Sequence, residues 1–188
     1  MAQYTIIATA AMGLEALVAK EVRALGYECT VDNGKVIFKG DETAIARANM
    51  WLRTADRVKI QVAQFKALTF DELFENTKAI PWENFITEDG EFPVAGKSHK
   101  SKLFSVSDCQ AIVKKAIVER LKRAYNRIAR FEENGPLFKL EVAMLKDIAT
   151  ITLDTSGVGL HKRGYRLEQG EAPLKETMAA ALVMLTNW

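Results

Sequence analysis

Apolar positions along this chain return at two different spacings, and the change of spacing predicts its elements. Tyr4 to Thr9 is short, β-branched and apolar, as a buried strand is. Leu14, Leu17, Val18, Val22 and Leu25 then recur at helical spacing until Gly26 stops them. Glu28 to Val31 and Lys35 to Phe38 flank Asp32-Asn33-Gly34, and Asn-Gly between two short strands predicts a hairpin. A helix from Asp41 runs through Ile45, Ala48 and Leu52, and Arg57 to Phe65 alternates as a strand. The order β-α-β-β-α-β is the ferredoxin-like plan, a sheet with two helices on one face. We take residues 1–66 as a first domain.

The pattern then restarts. Thr69, followed by acidic Asp71 and Glu72, is a helix N-cap, and the helix runs through Leu73, Phe74 and Thr77 to Ile80-Pro81-Trp82. Glu91 to Ala95 is a short strand that Pro93 places at a sheet edge or a strand end. Gly96 to Lys102 reads as a basic loop. A long helix follows near Ser107 to Phe131, with Ser107 and Gln110 as a capping box. Leu137 to Leu145 and Ile148 to Leu153 are strands joined by a tight Lys146-Asp147 turn. A glycine-rich basic stretch, Gly157 to Arg166, leads to an apolar helix from Pro173 to Trp188. That helix either docks on this chain or enters a further domain.

Composition places the chain in the folded globular class: 188 residues, 48% hydrophobic and 27% charged. No apolar run reaches the roughly 18–20 residues that span a bilayer. The first residues lack the basic start of a signal peptide. Cys29 and Cys109 stand far apart without a partner motif and are expected as free thiols with no chemical role.

The net charge of +2 conceals an asymmetry. Residues 97–130 hold 10 Lys/Arg and 2 Asp/Glu, a net of +8, whereas residues 1–96 hold 10 and 14 and residues 131–188 hold 6 and 8. One block therefore carries all the excess positive charge, which points to a polyanion at one place on the surface. Within the block, Val113, Ala116, Ile117, Leu121, Ala124 and Ile128 share a buried helix face, and Lys114, Lys115, Lys122, Arg123, Arg127 and Arg130 fall mostly elsewhere. A helix N-terminus fed by Lys97, Ser98, His99, Lys100, Ser101 and Lys102 offers backbone N–H groups, hydroxyls and cations to phosphate. A merely solvated basic face is the alternative, and Arg127 and Arg130, near the helix end, fit it best. In the second basic stretch, Tyr165 could stack on a base while Lys162, Arg163 and Arg166 hold phosphate. Equally, Tyr165 could pack inward on a linking segment.

Catalytic motifs fail. Gly96-Lys97-Ser98 resembles the end of a phosphate-binding P-loop, but position 91 is Glu where that loop needs Gly. Gly157-Val158-Gly159 lacks the third dinucleotide-binding glycine, since position 162 is Lys. There is no metal-ligand set, and neither His99 nor His161 has a nucleophile partner.

The succession of a ferredoxin-like front, GKSHKSKLFSVSDCQAIVKKAI, two strands, LHKRGYR and APLKETMAAALVML closely resembles the THUMP-containing RNA methyltransferases. Within them it is most similar to the bacterial group around the large-subunit rRNA guanine-N2 methyltransferase L, members of which are often described as N6-adenine-specific DNA methylases. The resemblance implies an α+β fold: residues 1–66 ferredoxin-like, 67–168 a THUMP RNA-binding domain, and 169–188 a linker and first helix leading to a Rossmann-like methyltransferase domain. The methyl-donor loop and an Asn-Pro-Pro-Tyr-type catalytic motif would lie beyond Trp188. These 188 residues are therefore expected to bind RNA but to hold no catalytic residue, metal or cofactor, with S-adenosylmethionine implied for the further domain. The implied reaction is attack of an exposed guanine amine on the methyl sulfonium, with the base presented by flipping.

The expected RNA contacts are Lys97, Ser98, His99, Lys100, Ser101, Lys102, Lys114, Lys115, Lys162, Arg163, Tyr165 and Arg166. The expected partners are structured RNA, with rRNA ahead of tRNA, and a C-terminal methyltransferase domain. No membrane is expected, and the location implied is the cytoplasm. Two other readings stay open: a stand-alone RNA-binding adaptor that recruits a separate enzyme, and a small-molecule or protein-interaction domain on the same fold.

Overall fold

A computed structural model describes residues 2–127, 131, 133–164, 166 and 173–186. The chain divides into two compact units, Met1–Ile60 with Asp154–Trp188, and Gln61–Leu153.

The first unit contains β1 (Tyr4–Ala10), α1 (Glu15–Ala24), β2 (Cys29–Asp32), β3 (Lys35–Gly40), α2 (Glu42–Trp51) and the start of β4 (Ala55–Lys66). Its strand order is β2-β3-β1-β4. The expected ferredoxin-like front is therefore present. Antiparallel pairing sets Ile6 opposite Phe38 and Ala8 opposite Val36. All four are buried, so every second residue of each strand faces the helices. Val18, Ala19 and Val22 of α1 and Ala44 and Ala48 of α2 complete that core. Asp41 caps α2, its carboxylate accepting the Ala44 N–H at 2.9 Å. Gly34 turns the hairpin at φ +71°, and its N–H donates to Glu15 at 2.9 Å.

A buried carboxylate ties α1 to the link between α2 and β4. Glu21 is only 6% exposed and accepts the Arg53 Nε–H at 2.9 Å, the Thr54 N–H at 3.0 Å and the Thr54 hydroxyl at 2.6 Å. Ionised acceptors with this many donors are tolerated in a core because each lone pair is used.

The segment after residue 154 returns to this unit. Asp154 pairs with Arg57 at 2.5 Å, Thr155 N–H donates to the Val58 carbonyl at 3.0 Å, and Leu160 N–H donates to the Asp56 carbonyl at 2.9 Å. The final helix, α5, spans Glu176–Leu185, not the full Pro173–Trp188 run. Its Thr177 hydroxyl lies 3.1 Å from Asp56 Oδ1.

The second unit contains the rest of β4, α3 (Phe70–Ala79), a 3₁₀ turn (Trp82–Asn84), β5 (Val94–His99), α4 (Val106–Ala124), β6 (Leu140–Leu145) and β7 (Ile148–Asp154). Strand order is β4-β7-β6-β5, with β5 and β6 parallel and β6 and β7 antiparallel. Helix α4 is the crossover between the parallel pair, as such a connection requires. Leu73, Trp82, Phe92, Val113, Ile117, Leu121, Val142, Met144 and Ile151 fill the core.

Four expectations are corrected here. Gly96 to His99 is not loop but the second half of β5, whose residues alternate between half-buried and exposed. An ideal Cβ on Gly96 would stand 2.8 Å from Gln110 Cγ and 2.9 Å from Val106 Cγ1. Gly96 thus serves close approach of α4 to the edge strand, a role that a loop-like composition hides. Helix α4 begins at Val106 after Ser105, with no side-chain cap. The expected Ser107–Gln110 box is absent because Gln110 Nε2 donates to the Val94 carbonyl at 2.9 Å, bracing β5 instead. The helix stops at Ala124 rather than near Phe131, and β6 begins at Leu140, with Leu137 in an isolated bridge to Glu91.

Candidate nucleic-acid interface

The basic block does not present its charge evenly. Arg120 forks onto Glu83, Arg127 pairs with Glu88 at 2.6 Å, and Lys114 pairs with Glu133 at 2.6 Å. Lys97 pairs with Glu141 at 2.9 Å. Glu83 and Glu88, in and just after the 3₁₀ turn, thus neutralise Arg120 and Arg127, while Lys115, Lys122 and Arg123 on α4 have no carboxylate partner among the described residues. Arg120 holds the Glu83 carboxyl below its usual range, chiefly through the hydrogen bond, and Glu83 in turn raises Arg120. Lys114 is packed as well as paired: its Nζ lies 4.4 Å from the Phe92 ring centre and donates to the Phe92 carbonyl at 3.3 Å. Arg130 lies outside the described residues.

A further set of cations without carboxylate partners follows β5. The segment from Lys100 to Phe104 is a loop held from several directions. Lys102 N–H donates to Asp147 Oδ1 at 2.7 Å, and Asp147 N–H donates to Ser101 Oγ at 3.0 Å. Lys146 N–H donates to the His99 carbonyl at 3.2 Å, and the Ser101 hydroxyl donates to the same carbonyl at 3.2 Å. Ser98 Oγ–H donates to the Leu103 carbonyl at 2.8 Å. Leu103 itself is buried. The β6–β7 turn that meets this loop has Lys146 at φ +50° and Asp147 at φ +62°, the left-handed pair that matches hairpin twist. Lys100 is also left-handed, at φ +50°.

The result is a rigid shelf carrying His99, Lys100, Lys102 and Lys146, all exposed. Among the described residues, the side chains of Lys100, Lys102 and Lys146 have no carboxylate partner. Locked backbone with free cations suits phosphate recognition, since little further ordering is needed on binding.

The expected contact residues therefore separate. His99, Lys100 and Lys102 stand together on the shelf. Lys115 is exposed on α4, its Nζ 5.6 Å from the Phe74 ring centre. Ser98 and Ser101 are brought to the shelf, but their hydroxyls hold its backbone, and Lys97 and Lys114 are in ion pairs. Of the expected contacts in the second basic stretch, the Lys162 side chain alone has no partner among the described residues. Arg163 Nε donates to the Leu160 carbonyl at 2.8 Å, and its terminal nitrogens donate to the carbonyls of Asn49, Met50 and Leu52 at 2.9, 3.2 and 2.7 Å. Arg163 thus caps the C-terminus of α2. Arg166 pairs with Glu176 at 3.0 Å and donates to the Leu174 carbonyl at 2.7 Å. Tyr165 lies outside the described residues.

Sequence reasoning missed Lys146 and Asp147 as parts of this site. Their tight turn was legible, but a turn has no address until its sheet partners are known. It also passed over Phe104, which is 82% exposed.

The glycine-rich stretch after β7 does not form a dinucleotide-type loop. Gly157 to Gly159 follows a strand but does not open a helix: Leu160 returns to Asp56, and an ideal Cβ on Gly159 would meet His161 Cε1 at 2.8 Å. No group of His, Cys, Asp and Glu able to hold a metal occurs among the described residues. No helix among them is long and apolar enough to cross a membrane.

Two family models match: an RlmL ferredoxin-like domain over residues 5–59 and a THUMP domain over residues 67–154. "Putative RNA methyltransferase YpsC" of Bacillus subtilis is 69% identical over 100% of this chain and 49% of its own length. "Ribosomal RNA large subunit methyltransferase K/L" of Syntrophotalea carbinolica is 36% identical over 96% of this chain and 26% of its own. A crystal structure of "SMU.472, a putative methyltransferase complexed with SAH" superimposes with a TM-score of 0.94 at 50% identity, over 100% of this chain and 50% of that one. The chain spans about half the length or less of the relatives it matches. With an RlmL ferredoxin-like domain followed by a THUMP domain, the chain belongs to the THUMP-domain proteins, and the relatives it matches are named as RNA methyltransferases.

Proposed function

We propose that this chain is the RNA-binding, substrate-presenting region of an S-adenosylmethionine-dependent RNA methyltransferase. The observation that carries the proposal is the shelf of Lys100, Lys102 and Lys146, free of carboxylate partners among the described residues and locked by Asp147. Cations on a fixed backbone neutralise phosphates and set register without reading sequence. His99 adds a donor beside them, and Lys115 and Lys162 are further candidate contacts.

The whole protein would work by division of labour. This region grips structured RNA by backbone and shape, and a second region, of the length by which the relatives exceed this chain, transfers the methyl group. The SAH in the related crystal structure supports S-adenosylmethionine as the donor. The K/L relative, named a large-subunit ribosomal RNA methyltransferase, supports rRNA as the RNA, with tRNA as the second candidate; guanine-N2 of 23S rRNA is the target that the resemblance implies. An RNA-modifying enzyme of this kind works in the cytoplasm. Domain limits of 1–66, 67–168 and 169–188 are part of the same proposal.

The test is RNA binding measured across a range of salt. The Lys100→Ala, Lys102→Ala, Lys146→Ala triple variant should weaken binding to a structured RNA at least about tenfold. It should also lower the log–log salt slope by about one per lost phosphate contact. Arg127→Ala, which removes an ion-paired cation, should change neither. Unchanged affinity and slope in the triple variant would remove the shelf from the interface.

A further inference from the structure

We infer that Phe104 is a stacking platform for an unpaired RNA base held over the lysine shelf. The inference rests on the RNA-binding reading of that shelf and adds a preference for single-stranded nucleotides.

Phe104 is 82% exposed, the more exposed of the two large aromatic side chains that stand out from the described surface, the other being Trp51 at 63%. Scattered exposed apolar residues are ordinary, so exposure alone decides nothing. The surroundings decide it. Phe104 follows Leu103, which is buried and whose carbonyl accepts the Ser98 hydroxyl at 2.8 Å. Phe104 N–H donates to the Lys102 carbonyl at 3.1 Å, and Ser105, next in the chain, starts α4 by accepting the Cys109 N–H at 3.1 Å. The backbone is thus fixed on both sides of the ring.

No aromatic or cationic side chain among the described residues lies on the Phe104 ring, unlike Phe74, Phe92 and Tyr27, which each carry a cation. Both faces are therefore available. The neighbours in the loop are Lys100 and Lys102, whose side chains lack carboxylate partners. An exposed aromatic ring on a fixed backbone, beside free cations, is the arrangement that binds single strands: the cations take the phosphates and the ring takes a base. A fully paired helix keeps its bases stacked on one another and cannot use the ring.

The experiment compares two RNA probes on the 188-residue chain. One is a stem with a short unpaired extension carrying a fluorescent purine analogue. The other is the same stem with the extension paired to a complementary strand. The native chain should bind the unpaired probe about tenfold more tightly, with quenching of the analogue. Phe104→Ala should abolish both the preference and the quenching while leaving affinity for the paired probe and the thermal midpoint unchanged. Phe104→Trp should keep the preference. The inference falls if Phe104→Ala leaves the preference intact or weakens both probes equally. It also falls, with the shelf reading untouched, if the native chain binds both probes equally and salt-sensitively. Binding to neither probe overturns the RNA reading itself.

Discussion

The carboxylate of Asp147 accepts the backbone N–H of Lys102 at 2.7 Å, across 45 residues of chain. The bond joins the β6–β7 turn to the loop before α4, and the Asp147 N–H returns the contact to Ser101 at 3.0 Å. A single acidic residue thus shapes a surface that carries Lys100, Lys102 and Lys146.

Asp147→Ala separates shape from charge. The substitution raises the net positive charge beside Lys100, Lys102 and Lys146, which on charge alone would tighten RNA. If pre-ordering matters more, affinity should instead fall by about tenfold or more, since a charge-assisted hydrogen bond contributes about 1.5–3 kcal/mol and about 1.4 kcal/mol is tenfold. Asp147→Asn, which tolerates the left-handed backbone and keeps an acceptor, should retain most of the binding. Titration of structured RNA at fixed salt measures both, and tighter binding by the alanine variant would reject the shelf as a pre-ordered element.

Arg163 should behave as a structural residue. Its guanidinium reaches four backbone carbonyls, so Arg163→Ala should lower stability by about 1–2 kcal/mol. Arg163→Lys should not restore it, because an ammonium cannot reproduce the planar fork. Lys162→Ala, one residue away, should leave thermal unfolding unchanged. Equal unfolding midpoints for the Arg163 variants and the native chain would contradict the capping role.

Glu21 is the most exposed to disruption of the buried polar groups in the first unit. Glu21→Ala strands the Thr54 N–H and hydroxyl in the core and should cost about 3 kcal/mol or more. Glu21→Gln keeps the shape but loses the ionised acceptor and should fall between the two. Chemical denaturation of the three proteins gives the order directly.

The Glu83–Arg120 pair carries a pH signature. Arg120 depresses the Glu83 carboxyl below its ordinary value of 4.5. Its stabilisation is therefore complete above pH 4.5 or so and is lost as pH falls through the lower value in the folded state. Glu83→Gln should remove that part of the acid-side decline and leave the neutral-pH slope unchanged. Both groups are partly exposed, so the effect should be modest and should shrink with added salt. An acid limb identical in the two proteins would show that the pair contributes nothing to acid sensitivity.

Much of the fold was legible because periodicity reports burial directly. Ile6, Ala8, Val36 and Phe38 alternate because one side of the sheet faces α1 and α2, and Val113, Ala116, Ile117 and Leu121 share one side of α4. The hairpin glycine and the caps at Asp41 and Thr69 also act within a few residues, so local chemistry reveals them. Where a residue's neighbour is distant in the chain, local chemistry misled. Gly96-Lys97-Ser98-His99 has a loop's composition but forms a strand, because parallel pairing with β6 and the close approach of α4 outweigh propensity.

By itself, the sequence determined the ferredoxin-like order, the presence of a second α/β unit, the family, and the concentration of positive charge between Lys97 and Arg130. Only the tertiary structure decided which of those charges face solvent unpaired. Charge per segment is a sum over one stretch of chain, whereas neutralisation depends on carboxylates brought in from elsewhere: Glu83 and Glu88 to α4, Glu141 to Lys97, Glu176 to Arg166. The same distance in sequence separates Lys146 and Asp147 from the loop they complete. The backbone ladder between β5 and β6 brings them together before the Asp147 carboxylate and the Ser101 hydroxyl can bond, and a ladder that any residue could make leaves no trace in residue type.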